Sequence, residues 1–207
     1  MWDNLREPSA PRREAHLRAF RAYWEDCRKG GDVPARADID PRRIAALLPH
    51  AFIAERIAPG VVRLRVAGTH LGDLMGMDVR GMPLSCLIEP AARDAFALHL
   101  VDLFDRPACL RVALRSRGGL GRPALAGTML LLPLRSDLGD VSRALGCLVT
   151  HGRIGRAARR FDIESVQAGP LTGPMPPAPP TPFRVIEGAR RGRARPGSRA
   201  HLRLVVT

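Results

Sequence analysis

The order of hydrophobic periods along this 207-residue chain predicts an α+β domain, an antiparallel sheet with helices packed on one face. Two observations carry that expectation. Helix-spaced apolar residues come first, and five strand-like runs follow, most of them separated only by hairpin turn signals. The second and third runs are instead separated by a glycine-punctuated stretch, VAGTHLGDLMGMDVRGM, and by one longer helix that opens at Pro90.

The first helix is expected from about Arg12 to Arg28, where Leu17, Phe20, Trp24 and Cys27 recur at three and four residues and make one apolar stripe. Pro11 suits its first turn and Gly30 its end. Tyr23 and Trp24 serve either the core or a dimer face. DIDPRRIAALLP predicts a second, compact helix. Asp40 caps it, Pro41 takes the first position, Ile44, Leu47 and Leu48 face inward, and Pro49 stops it. Both helices precede the sheet.

Strands are expected over 51–58 and 61–67, with Pro59-Gly60 as the turn. In the second, Val62, Leu64 and Val66 alternate with Arg63 and Arg65, as in a sheet covered on one face and wet on the other. Gly68, Gly72, Gly76 and Gly81 then keep the helices short. Thr69 caps a helix of about one and a half turns, Gly76 ends it with positive φ, and Gly81 lets the chain reverse without a Cβ clash. The helix from Pro90 buries Phe96, Leu100, Leu103 and Phe104 and ends near Pro107.

ACLRVALRSR puts Leu110, Val112 and Leu114 on one face, and Arg111, Ala113, Arg115 and Arg117 on the other. Gly118-Gly119 turns the chain, LAGTMLLLPL is the most hydrophobic strand and is expected to be central, SDLGD is a hairpin loop, and RALGCLVTHG is the last strand. Past Ile163 the composition changes. Seven of the thirteen residues from Pro170 to Pro182 are proline. That composition favours a stiff polyproline spacer of about 40 Å, at about 3.1 Å per residue. The expected organisation is N-terminal helices over 1–49, a core over 50–163, a proline-rich linker over 164–182 and an arginine-rich tail over 183–207. The closing HLRLVVT alternates as a strand does, and would need a sheet edge to accept it.

GTHLGDLMGMDVRGMPLSCLIEPAAR resembles the glycine-punctuated middle of the PAS fold. A short helix ends at a glycine, and an apolar residue, an acidic turn, a second glycine, an apolar-Pro-apolar step and Pro-x-x-Arg follow. Those places are held by Leu71, Leu74, Gly76, Met77, Asp78, Gly81, Pro83, Leu84, Leu87, Pro90 and Arg93. AYWEDCRKGGDVPARADIDPRRIAALLPHAFI and GRPALAGTMLLLPLRSDLGDVSRALG are similar to a bacterial subfamily of stand-alone single-domain PAS proteins, so the resemblance covers about 17–163. It implies a five-stranded antiparallel sheet with short helices on one face and N-terminal helices before the sheet. Many PAS domains carry Asn at the end of the second strand, whereas this chain has Ala67-Gly68-Thr69.

The resemblance also implies a ligand pocket in the concave space that short helices leave against the sheet. Its candidate residues are Leu64, Val66, His70, Leu71, Leu74, Met77, Leu84, Leu87 and Leu100, with Thr69, Gly76, Gly81 and Pro83 as the residues that determine the turns.

Composition narrows the chemistry. The net charge is +13, of which the tail holds +6, but Lys29 is the only lysine against 32 arginines, a bias that a GC-rich genome produces. Cys27, Cys86, Cys109 and Cys147 form no C-x-x-C pair and read as buried free thiols. No apolar run approaches the roughly 18 residues of a membrane span, and the N-terminus is charged, so a cytoplasmic chain is expected.

GLGRPA at 119–124 matches a dinucleotide fingerprint by letter but leads into a strand, so it reads as a hairpin. Cys147 and His151, four apart on a strand, lie about 13 Å apart, too far to share one metal. No nucleophile, base and acid stand in a catalytic arrangement, and no metal site is expected.

The function these observations support is a non-enzymatic sensory or signalling module. By resemblance it acts through a small ligand or through contact with histidine-kinase pathway proteins, with a homodimer as a further partner. A nucleic-acid-binding regulator using the arginine tail is one alternative. A haem-binding sensor with His70 or His99 as axial ligand is another.

Overall fold

The computed structural model describes residues 10–28, 31–119, 122–169 and 171. The chain opens with α1 (Ala10–Asp26), passes through 3-10 turns at Arg36–Asp38 and Pro41–His50, and enters the sheet with β1 (Ala51–Ala58) and β2 (Val61–Ala67). α2 (Thr69–Met75), 3-10 turns at Leu84–Leu87 and Pro90–Ala92, and α3 (Arg93–Asp105) follow. β3 (Cys109–Ser116), β4 (Leu125–Arg135), β5 (Val141–His151) and β6 (Asp162–Gly169) complete one antiparallel sheet, ordered β2-β1-β5-β4-β3-β6.

The α+β class and the antiparallel sheet are those expected, with six strands in place of five. The sixth, β6, pairs with β3 from Arg115↔Asp162 to Cys109↔Gly169, so a core ending at residue 163 would stop inside a strand. A register shift between Ala113 and Leu114 breaks the alternation of Ile163, Val166 and Ala168, which hides the strand period from the sequence. Apart from 164–169 and Leu171, the proline-rich linker and the arginine-rich tail lie outside the described residues.

Both faces of the sheet are covered. α2, α3 and the 3-10 turns between them pack on one face, over Leu64, Leu131 and Leu148. α1 and the Pro41–His50 segment pack on the other, where Leu17, Phe20 and Trp24 meet Leu132, Leu145 and Cys147. The central strands require this arrangement. In β4, Leu130, Leu132 and Leu134 face α1 while Met129 and Leu131 face the other helices, and a strand apolar on both sides has to be buried on both.

Polar links hold α1 in place. The Trp24 indole N–H donates to the Pro133 carbonyl at 2.9 Å, and the Tyr23 hydroxyl donates to the Asp40 carbonyl at 2.9 Å. The Arg111 guanidinium donates to both Glu14 carboxylate oxygens, at 3.0 and 2.7 Å. Tyr23 and Trp24 therefore belong to the core of this chain, and Arg111 lies under a helix instead of on a wet face.

The Pro41–His50 segment is capped by Asp40, whose carboxylate accepts from the Arg42 N–H at 3.0 Å. It winds as 3-10 helix and leaves helical geometry at Ile44 (φ −120, ψ 27). With three residues per turn, Ile44 and Leu47 share a face that Leu48 leaves: the former two are buried, whereas Leu48 is 38% exposed and does not face inward as its spacing suggested.

Candidate functional site

Six of the expected pocket residues, Leu64, Leu71, Leu74, Leu84, Leu87 and Leu100, do come together between the sheet and the α2–α3 layer. None is more than 2% exposed, and Met75, Val79 and Phe96, which the sequence reading did not place there, pack among them. They form a closed apolar core.

Val66 and Met77 do not join it. The β1–β2 register steps from Ile53↔Val66 to Ala54↔Leu64, so Arg65 is an extra residue and Val66 shares the face of Ile53, opposite to Leu64. Val66 is accordingly 49% exposed. Met77 is 55% exposed because Gly76 ends α2 in the left-handed conformation (φ 67) and turns the chain outward; the buried methionine is Met75.

The cap of α2 also differs from expectation. Gly68 is the N-cap and Thr69 the first helical residue, with no side-chain capping bond. A Cβ at Gly68 would stand 2.2 Å from the Leu48 carbonyl oxygen and 2.3 Å from that of Pro49. Close approach of the 41–50 segment dictates this glycine. Downstream, the Gly81 N–H donates to the Leu64 carbonyl at 2.8 Å and the Leu64 N–H to the Met82 carbonyl at 2.9 Å, while Pro83 pairs with Arg63. The loop therefore covers the outer edge of β2.

An open groove lies on the other face. Ile39, the 41–50 segment and the adjoining ends of β1 and β2 enclose a groove of about 530 Å³. Its floor is a row across three strands, since Ile53 pairs with Val66 of β2 and with Leu145 of β5. Ile44, Ala45, Leu48 and Pro49 form its wall, and among the described residues Arg36 is the only charged side chain that lines it. Sequence reasoning missed this groove because two of its exposed apolar residues, Leu48 and Val66, both follow an inward-facing period that 3-10 winding and a bulge interrupt.

His70 turns toward Thr150, with Nε2 and Oγ1 3.0 Å apart. Its ring lies 4.5 Å from that of His50, which lies 6.0 Å from that of His16. Three imidazoles from α1, the end of the 41–50 segment and α2 thus lie in a row, each tilted against the next. Burial first, and the neighbouring His50 second, push His70 down to about 4. Burial and His16 lower His50 too, against a hydrogen bond with the Leu148 backbone that acts the other way. The Nδ1 atoms of His16 and His50 are buried without a hydrogen-bond partner among the described residues. Among the described residues no group of three or more His, Cys, Asp or Glu has a metal-binding arrangement.

The haem reading asks for a free imidazole nitrogen facing an open pocket. Thr150 occupies Nε2 of His70, and the six leucines close the core on that side. His99 is half-buried on α3. All four cysteines are free and buried, and desolvation pushes Cys109 up to about 11 and Cys147 up to about 12, so these thiols stay protonated at neutral pH. Gly119 and Arg122 exchange both backbone hydrogen bonds, the geometry of a hairpin. No helix among the described residues is long and apolar enough to cross a membrane.

A family model described as the PAS domain matches residues 12–149, from α1 to β5. No curated protein matches the chain. Among solved structures, an RNA-binding light-oxygen-voltage receptor is similar at 20% identity with a TM-score of 0.40, the match covering 59% of this chain and 35% of that one.

Proposed function

Because the chain belongs to the PAS domain family, we propose that it is a non-enzymatic signalling module whose output is contact with histidine-kinase pathway proteins, biased by a small ligand. The observation that carries this reading is a shared core. Ile39, Ile44 and Leu145 line the groove and also belong to the apolar cluster that seats Leu17, Phe20 and Trp24 of α1. A molecule that enters the groove touches the packing that holds α1, and so favours one seating of that helix over another.

Autophosphorylation of a panel of purified sensor histidine kinases, measured with and without the full-length chain, tests the output. The expected result is a changed rate for at least one kinase, reduced by Phe20→Ala, which loosens α1 on the sheet. If every rate stays the same while circular dichroism reports a folded protein, contact with kinases is not what this module does.

A further inference from the structure

The groove is apolar apart from Arg36 and Thr69. Its floor row, Val66, Ile53 and Leu145, and its wall, Ile44 and Leu48, offer no hydrogen-bonding side chain. Arg36 supplies the single charge, and among the described residues its guanidinium makes no ion pair or hydrogen bond, unlike Arg65 and Arg143, which share Glu55 nearby. The volume of about 530 Å³ falls within the range of about 300–1,000 Å³ usual for small-ligand sites.

An occupant complementary to these walls has a long apolar body and one negative end. We propose that the groove binds a medium-chain fatty carboxylate, with the alkyl chain along the Val66–Ile53–Leu145 row and the carboxylate at Arg36. The single cation selects a monoanion. A phosphorylated headgroup would bring about two charges at neutral pH to one guanidinium. An amphipathic helix would need several charged rim partners, and among the described residues the lining offers one. This assignment rests on the reading of the chain as a ligand-biased module and names the ligand class. It also places the site on the α1 face of the sheet, away from the core beneath α2 and α3.

Isothermal titration of the full-length protein with octanoate, decanoate and dodecanoate, each below its micellar concentration, tests the proposal. One site per chain is expected, with affinity rising roughly 3- to 4-fold per added methylene, the factor that burying a CH₂ supplies. Arg36→Gln should weaken dodecanoate about 3- to 10-fold, as for a partly exposed charged hydrogen bond, and leave dodecanol unchanged. Val66→Trp should abolish binding by filling the floor. Leu48→Glu, which places a negative charge on the wall, is the second blocking variant should the tryptophan disturb folding.

Dodecanol binding as tightly as dodecanoate, or no response to Arg36→Gln, overturns the carboxylate assignment. Undiminished binding to folded Val66→Trp and Leu48→Glu overturns the groove as the site. Absence of heat and of any melting shift with all three acids overturns the proposal outright, as does a dimer that covers the groove and is not dissociated by dodecanoate. The kinase panel contains no fatty acid, so a failure here and a failure of the signalling reading are read separately.

Discussion

The imidazole of His70 leans on that of His50, with ring centroids 4.5 Å apart and planes inclined by 60°. Neither ring gains a proton cheaply in that position. His70 ionises near 4 in the folded chain against an ordinary value of 6.5, so between those values the unfolded chain holds the extra proton. Stability is therefore full above about pH 6.5 and falls as the pH drops toward 4, by at most about 1.4 kcal/mol per pH unit for one group. The lowered His50 acts with the same sign. Urea denaturation from pH 7 to 4 should show a shallower loss in His70→Gln, whose amide can keep the bond to Thr150. Superimposable pH profiles would remove the histidine row as a source of acid lability.

Gly68 meets the carbonyls of Leu48 and Pro49 too closely for any Cβ. Backbone atoms cannot swing aside as a side-chain tip can. Gly68→Ala should cost about 1–3 kcal/mol, the range for overpacking, and should displace the 41–50 segment that walls the groove. An unchanged denaturation midpoint would show that the segment moves freely.

Two tryptophan substitutions separate the closed core from the open groove. Leu74 has no exposed surface, so Leu74→Trp should destabilise by about 1–3 kcal/mol. Val66 is 49% exposed, and Val66→Trp should leave the melting temperature within a few degrees of wild type. The reverse order of stabilities would contradict the bulge at Arg65.

Arg111 lies beneath α1 with both oxygens of Glu14 as partners. Glu14→Ala leaves a buried guanidinium without its carboxylate, at a cost of roughly 1–3 kcal/mol, and the partial exposure of Glu14 puts the value toward the low end. Arg111→Met in the same background should recover part of the loss, since no uncompensated charge then remains. Hydrogen exchange confined to α1 would show where the loss falls, and no change there would mean that the apolar stripe alone holds the helix.

Much of this architecture was legible in the chain. Strands at 51–58 and 61–67, on either side of the Pro59-Gly60 turn, and the four buried residues of α3 follow from periodicity, which the run Val62, Leu64 in β2 and the stripe of α3 keep for long enough to be read. The groove was not legible, since it depends on interruptions of period. One extra residue at Arg65 moves Val66 across the sheet, and winding as 3-10 instead of α-helix turns Leu48 outward. Composition carries no trace of either.

The sequence by itself determined the family, the antiparallel sheet and the helix that closes its leucine core, because alternation, glycine placement and capping are local and act within a few residues. Only the tertiary structure decided which face α1 covers, that β6 extends the sheet, and that a groove opens beside Arg36. Each of those outcomes depends on contacts between segments far apart in the chain, such as Trp24 with Pro133 and Gly68 with Leu48. Burial is settled by what arrives from elsewhere, and no local pattern encodes it.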